Sequence, residues 1–236
     1  MRDSAGVMVV QSPAVGVGAD LGWTLDSLPL LEIGTLEGPP ETQLYRVLDA
    51  HLLSDGGVAV LNAGTAEVRF YSASGVHVTT FGGEGEGPGE FSRPGALHAW
   101  PGDSLAVWDA STRRLTLIAP DGSLGRVFTL PQGEAQTRTA FNHRLPGGEL
   151  AVTRFDFTDE GLSSGYRRIP VHVELIDESG RQIADLGSHP GNEAFIRVAS
   201  ESVNIVGFAF ARGWVAAPHG AETIVAPNDR LELRYY

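Results

Sequence analysis

The sequence contains no cysteine. That excludes a disulfide framework, a thiolate nucleophile and any zinc site built on sulfur, and it leaves the redox compartment unreadable. Basic residues are scarce: 17 Lys plus Arg stand against 29 Asp plus Glu, for a formal charge of -12 over 236 residues. Such a chain repels a polyphosphate backbone or an anionic membrane, and no basic stripe offsets the deficit, so nucleic acid is not an expected partner. No apolar run approaches the roughly 18–20 residues of a spanning helix, and the opening Met1-Arg2-Asp3-Ser4-Ala5-Gly6 does not start a signal peptide. No membrane insertion by this chain is expected. Glycine and proline, in contrast, are plentiful at 30 and 14, and they are spread along the chain. Both weaken helix interiors and suit short strands joined by tight turns.

Three segments align: His51-Leu-Leu-Ser-Asp-Gly-Gly-Val-Ala-Val60, His98-Ala-Trp-Pro-Gly-Asp-Ser-Leu-Ala-Val107 and His143-Arg-Leu-Pro-Gly-Gly-Glu-Leu-Ala-Val152, spaced by 47 and 45 residues. Each is an apolar stretch, a Gly-bearing turn and a second apolar stretch, which is a hairpin. A third strand follows in each copy, ending at Ser74-Gly75, Asp121-Gly122 or Ser179-Gly180, and then a fourth. Four short strands at a period in the mid-forties predict blades of a β-propeller. The fold class is therefore all-β, a β-propeller of four-stranded antiparallel blades. About four blades are expected: full ones at 43–91, 92–133 and 134–195, with partial blades at 1–42 and 196–236, in one domain. The weaker last copy is read in 206–211, 214–217 and 231–235. A ring with so few blades is expected to be incomplete.

The stretch Phe81-Gly-Gly-Glu-Gly-Glu-Gly-Pro-Gly-Glu-Phe91, then Arg93-Pro94-Gly95 and Val107-Trp108-Asp109, resembles NHL-repeat propellers. There a Gly-rich link precedes a Pro, and the second strand ends near an Asp. The opening Asp3-Ser-Ala-Gly-Val7 with Trp23 resembles the mature start of bacterial exported six-bladed propellers. The resemblance covers about residues 3–190 and implies a lipoprotein signal upstream of Met1 and work outside the cytoplasm. Asn62 departs from the pattern at the place of Asp109, an insertion runs from about 158 to 168, and six blades would need roughly 270 residues.

The alternating glycines of 82–91 are not a phosphate cradle, because three glutamates and no helix accompany them. The segment reads first as a crossing between blades, with calcium on Glu84, Glu86 and Glu90 as the functional alternative. His51, His98 and His143 share one repeat position and so lie on a ring about a propeller axis. Three imidazoles converging there would hold zinc, and one group of propeller lyases is similar in placing a metal near its axis. Against this, side chains of blade strands point mostly at neighbouring blades. Ser163 sits in a Gly-x-Ser-x-Gly string, but without the strand-to-helix turn that a nucleophile elbow requires. Asp156, Asp159 and Glu160 read as a solvated cluster, while Tyr166, Arg167 and Arg168 close the insertion as a basic aromatic group. Trp23, Trp100, Trp108 and Trp214 read as packing between blades.

These residues favour a non-catalytic binding or scaffolding protein without a cofactor. Its loop face would engage a protein, peptide or glycan, with Glu84, Glu86, Glu90, Tyr166, Arg167 and Arg168 as candidate contacts. The alternative is a metal-dependent lyase or lactonase with zinc or calcium at the axis, drawing on His51, His98 and His143.

Overall fold

In the computed structural model, residues 2–4, 7–9, 26–133, 137–156, 164–199, 202–207, 211–228 and 233–236 are described. Among them the secondary structure is strand, save one 3-10 turn at Pro40–Thr42. An N-terminal hairpin joins β1 (Arg2–Ser4) to β2 (Val7–Val9). The first full sheet is β3 (Val47–Leu52), β4 (Val58–Asn62), β5 (Glu67–Tyr71) and β6 (His77–Gly82), paired in that order and antiparallel. The second, β7 (Pro94–Trp100), β8 (Ser104–Asp109), β9 (Arg114–Ile118) and β10 (Leu124–Thr129), repeats the same order.

The next sheet has five strands: β11 (Thr137–Arg144), β12 (Leu150–Asp156), β13 (Gly165–Ile176), β14 (Gln182–Ala199) and β15 (Ser202–Gly207). The last has three: β16 (Trp214–His219), β17 (Glu222–Pro227) and β18 (Arg234–Tyr235). These are antiparallel blades of the β-propeller type. They fall into two compact units, one within Ala14–Thr129 and the other within Leu130–Tyr236 together with the N-terminal hairpin, whose β2 lies against β18.

Local sequence explains the blades. The second and third strands, such as β4, β5, β8 and β9, are buried almost throughout: β4 and β8 read as nearly continuous apolar runs, while β5 and β9 alternate and bury Arg69 and Thr116 between apolar neighbours. The outer strand β6 instead alternates half-buried with exposed positions, as a rim strand should. In the first unit the two sheets pack face to face through Leu61, Val68 and Phe70 on one side and Leu97, Leu105, Val107 and Ile118 on the other. The three repeated histidines hold one register position: His51 pairs with Ala59, His98 with Ala106 and His143 with Ala151.

The turns between third and fourth strands use Gly75, Gly122 and Gly180, all at positive φ, and each amide closes the turn on the carbonyl of Ser72, Ala119 or Asp177. A Cβ at these positions would come within 2.9, 2.6 and 2.6 Å of Leu31, Thr79 and Pro131 respectively. Each glycine therefore lets its turn press against a segment earlier in the chain, and residue 31 stands for the first sheet where Thr79 stands for the second.

In the first two sheets the second strand ends on a buried polar side chain, Asn62 or Asp109. Asp109 accepts the N–H groups of Ser92 and Arg93 on one oxygen, at 2.7 and 2.9 Å, and those of Ser111 and Thr112 on the other, at 2.9 and 3.0 Å. Asn62 does half of this work: its carbonyl takes the Tyr45 N–H at 2.6 Å while its amide donates to Thr65 Oγ1 at 2.7 Å. In the third sheet the second strand continues to Asp156, and Arg154 stands at the equivalent repeat position, ion-paired with Glu174 at 2.6 Å and donating to the carbonyl of Pro131 at 2.7 Å.

The later repeats depart from the sequence expectation. Of the segment read as an insertion, residues 165–168 are strand: they extend β13 and pair with 193–196 of β14, which runs beyond residue 195 to Ala199 and carries β15. Ladder pairing satisfies the added backbone, and Ile169, Ala194 and Ile196 bury its apolar side chains. Residues 206 and 207 belong to β15, so the last sheet begins at Trp214 and takes β17 as its second strand. Ser163, Asp159 and Glu160 lie outside the described residues, as does Trp23.

Candidate functional site

The glycine-rich link is held as a closed loop by its own backbone. Phe91 N–H donates to Gly83 O at 2.9 Å and Gly85 N–H to Phe91 O at 3.1 Å, with the Phe91 ring fully buried against Phe81. Arg114 secures the loop from outside, donating to the carbonyls of Glu86 and Gly87 at 2.7 and 3.2 Å and to that of Glu90 at 3.3 Å. The Glu90 carboxylate folds back to accept Gly87 N–H at 2.9 Å. Glu84, Glu86 and Glu90 are exposed, and the loop's visible role is the crossing between two sheets.

His51 is half-buried on β3. His98, on β7, is held below the usual imidazole range by burial, with Asp49 opposing the shift. His143 is buried and its Nε2 lies 3.1 Å from Thr223 Oγ1. Among the described residues no three His, Asp or Glu side chains gather as a group that could hold a metal ion.

Tyr166, Arg167 and Arg168 enter β13 together, and their side chains then separate. Tyr166 stacks edge-on against Phe195 with centroids 5.1 Å apart, Arg167 is exposed, and Arg168 turns toward the last sheet. Its guanidinium donates to the carbonyls of Gly191 at 2.8 Å, Pro190 at 3.3 Å and Gly213 at 3.2 Å.

Arg168 thereby forms one wall of a cavity of about 210 Å³ between β14 and the β16–β18 sheet. Trp214, Pro190 and Pro227 supply flat apolar walls, and Val225, 2% exposed, closes the floor. Arg234 and His189 also line it, and among the described residues the lining contains no carboxylate. His189 is buried with Nε2 3.0 Å from Leu186 O; a carbonyl only accepts, so Nε2 carries the proton in the neutral ring. Burial first, then the charges of Arg234 and His172, hold its pKa below the ordinary value against the raising effect of the Leu186 carbonyl.

Trp214 and Pro227 also border a second, more open cleft of about 470 Å³. Asn192 and Asn228 frame it by accepting the N–H groups of Trp214 and Gly213, and Asn228 also donates to Ala211 O at 3.0 Å. Glu193 and Arg212 pair at 2.8 Å across its rim. The two hollows thus share Trp214 and Pro227 in their linings, the smaller one cationic and apolar, the larger one amide-lined. Sequence reasoning assigned Trp214 to packing and did not single out His189 or Arg234. Arg168 was the one visible member, because its neighbours Tyr166 and Arg167 marked it.

No protein-family model matches the chain, and no curated protein matches it. Among solved structures it is similar to a Bacteroides fragilis protein thought to be exported, at 13% identity over 87% of this chain and 75% of that one, with a TM-score of 0.51. It is also similar to an inactive variant of virginiamycin B lyase from Staphylococcus aureus with quinupristin, at 12% identity over 80% and 78% of the two chains and a TM-score of 0.35. A nidogen/laminin complex gives 13% identity over 74% and 69%, with a TM-score of 0.35. The first of these likenesses is one of fold alone. No helix among the described residues is long and apolar enough to cross a membrane.

Proposed function

We propose that this chain is a non-catalytic binding protein, a propeller scaffold that engages a protein, peptide or glycan and not nucleic acid. The observation that carries the reading is the pair of hollows that share Trp214 and Pro227 in their linings. Concave sites with apolar and aromatic walls and a few convergent polar groups are where proteins hold ligands. The net charge of -12 argues against polyanions. We extend the proposal to the NHL type, on the strength of the glycine-rich link with its Pro94 and Asp109, and to six blades and a place outside the cytoplasm, on the strength of the opening Asp3-Ser-Ala-Gly-Val7 with Trp23.

Peptide and glycan arrays probed with the full chain test the reading. A ligand class bound by the native protein and lost at least about tenfold in Arg212→Glu, a rim change that leaves the core untouched, is the expected outcome. An absence of binders on both arrays would overturn it. So would stoichiometric zinc or calcium in the purified protein that disappears in His98→Ala, since that is the signature of the metal-dependent alternative.

A further inference from the structure

Away from the two hollows, β13 and β14 bring a carboxylate, an imidazole and a hydroxyl into one row. His172 lies between the other two: its Nε2 is 3.0 Å from Asp185 Oδ1 and its Nδ1 is 3.2 Å from Ser188 Oγ. The row depends on an irregularity in the ladder. Glu174 stands opposite Asp185 and His172 opposite Ser188, so two steps along β13 match three along β14. In a regular strand residues 185 and 188 would face opposite sides of the sheet, and the additional residue returns Ser188 to the face of Asp185 and His172. Gly187 takes up the bend at a φ of 84°, and its N–H donates to Asp185 Oδ1 at 2.7 Å, which fixes the carboxylate.

A carboxylate only accepts, so in the neutral ring Nε2 carries the proton and Nδ1 presents its lone pair. The Ser188 hydroxyl then donates to Nδ1, the arrangement in which an imidazole takes the proton of an attacking serine. His77 on β6 gives the contrast. Its Nε2 lies 2.8 Å from Thr80 Oγ1, but among the described residues no carboxylate pairs with that ring to fix its tautomer.

From this row we infer that Ser188 is an activated nucleophile that accepts an acyl group from an activated ester or thioester. Oγ attacks the acyl carbon: the Oγ–C bond forms, and the bond from that carbon to the leaving oxygen or sulfur breaks. The Oγ proton passes to His172 Nδ1 and from there to the leaving group, so the products are the Ser188 ester and a free alcohol or thiol. The side chains of Asp185 and His172 are 57% and 36% exposed and Ser188 is exposed, so the row lies open at the surface. An open row does not hold a substrate in place, and the donor must bring a good leaving group of its own. Acylation modifies the protein once and leaves the binding reading as it stands.

The test is incubation of the full chain with 4-nitrophenyl acetate, followed by the release of 4-nitrophenolate and by peptide mass spectrometry. The chain contains no lysine, so no side-chain amine competes for the acetyl group. Ser179 is the internal control, an exposed hydroxyl that donates to Asp177 Oδ1 at 2.5 Å and so meets a carboxylate directly. Acetyl-Ser188 is expected to form at least about tenfold faster than acetyl-Ser179, below the roughly 10²–10⁴-fold of an enclosed general base. His172→Ala should slow Ser188 to the rate of Ser179, and added imidazole should restore part of the difference. Asp185→Asn gives Nε2 an amide that can donate to it, which moves the ring proton to Nδ1 and should slow acetylation about as much. That exposed change serves if the His172 variant does not fold. Equal rates at Ser188 and Ser179 overturn the inference, as does an absence of acetyl-Ser188 at millimolar ester. An unchanged Ser188 rate in both variants overturns it too, since Ser188 is then an ordinary surface serine.

Discussion

The two units of this chain are built from the same hairpin, yet they spend it differently. Within Ala14–Thr129 two four-stranded sheets repeat almost residue for residue, with Asn62 and Asp109 as matched end clamps and Ala66 and Arg113 at matched positive-φ turns. Within Leu130–Tyr236 the sheets have five and three strands, the clamp position is an arginine, and the two hollows lie beside the seam. The regular unit also holds a cleft, of about 310 Å³, lined by Thr35, Pro40, Gln43, Tyr45 and Arg69 among others, so concave space is common to both units and what separates them is the make-up of their sheets.

Breaking the clamps should show this contrast most strongly. Arg154→Ala leaves the Glu174 carboxylate, with a side chain 9% exposed, without its cation and removes donors from Pro131 O and Thr139. A loss of about 3–5 kcal/mol is expected, as for breaking one side of a buried pair. Hydrogen exchange should place the loss in the 130–236 unit, and protection falling equally in both units would contradict the separation.

Asp109→Ala is expected to cost roughly 2–4 kcal/mol and Asn62→Ala about 1–2 kcal/mol, in proportion to the backbone groups each leaves unsatisfied. These two positions also differ in charge. Burial would raise the Asp109 pKa, but the backbone N–H groups of Thr112, Arg93 and Ser92 outweigh it and hold the carboxyl below its ordinary value. A depressed folded value means that its contribution is complete above the ordinary carboxylate range. It is lost as pH falls below that range through the depressed folded value. Chemical denaturation across pH 5 to 2 should show acid loss that Asp109→Asn reduces and Asn62→Ala does not.

The smallest expected effects separate close approach from backbone conformation. Gly122→Ala meets both the positive φ of 79° and the Thr79 methyl at 2.6 Å, whereas Gly187→Ala meets only a φ of 84° with nothing within 4 Å. The first should cost roughly 2 kcal/mol and the second about 1 kcal/mol, read from thermal midpoints. Equal costs would mean that the turn and the Thr79 strand do not press together as described.

How much of this was legible in the residues depended on how local the signal was. The hairpin at 51–60 and its copies could be read because glycine turns and flanking apolar runs lie within ten residues of each other. β17 carried a comparable signal, with His219-Gly220-Ala221 between two apolar runs, but reading Leu231 to Tyr235 as the next strand passes over it. The lengthened β13 and β14 were not legible, because their pairing joins residues 165–168 to 193–196 and no turn chemistry marks that register.

By itself, then, the sequence determined the blade: its strands, its turns and the shared position of His51, His98 and His143 follow from periodicity and glycine conformation. Only the tertiary structure decided the cavity. Arg168, His189, Trp214 and Arg234 come from four different strands. Their convergence depends on how the five-stranded sheet meets the three-stranded one, and no local pattern encodes such a meeting of distant side chains.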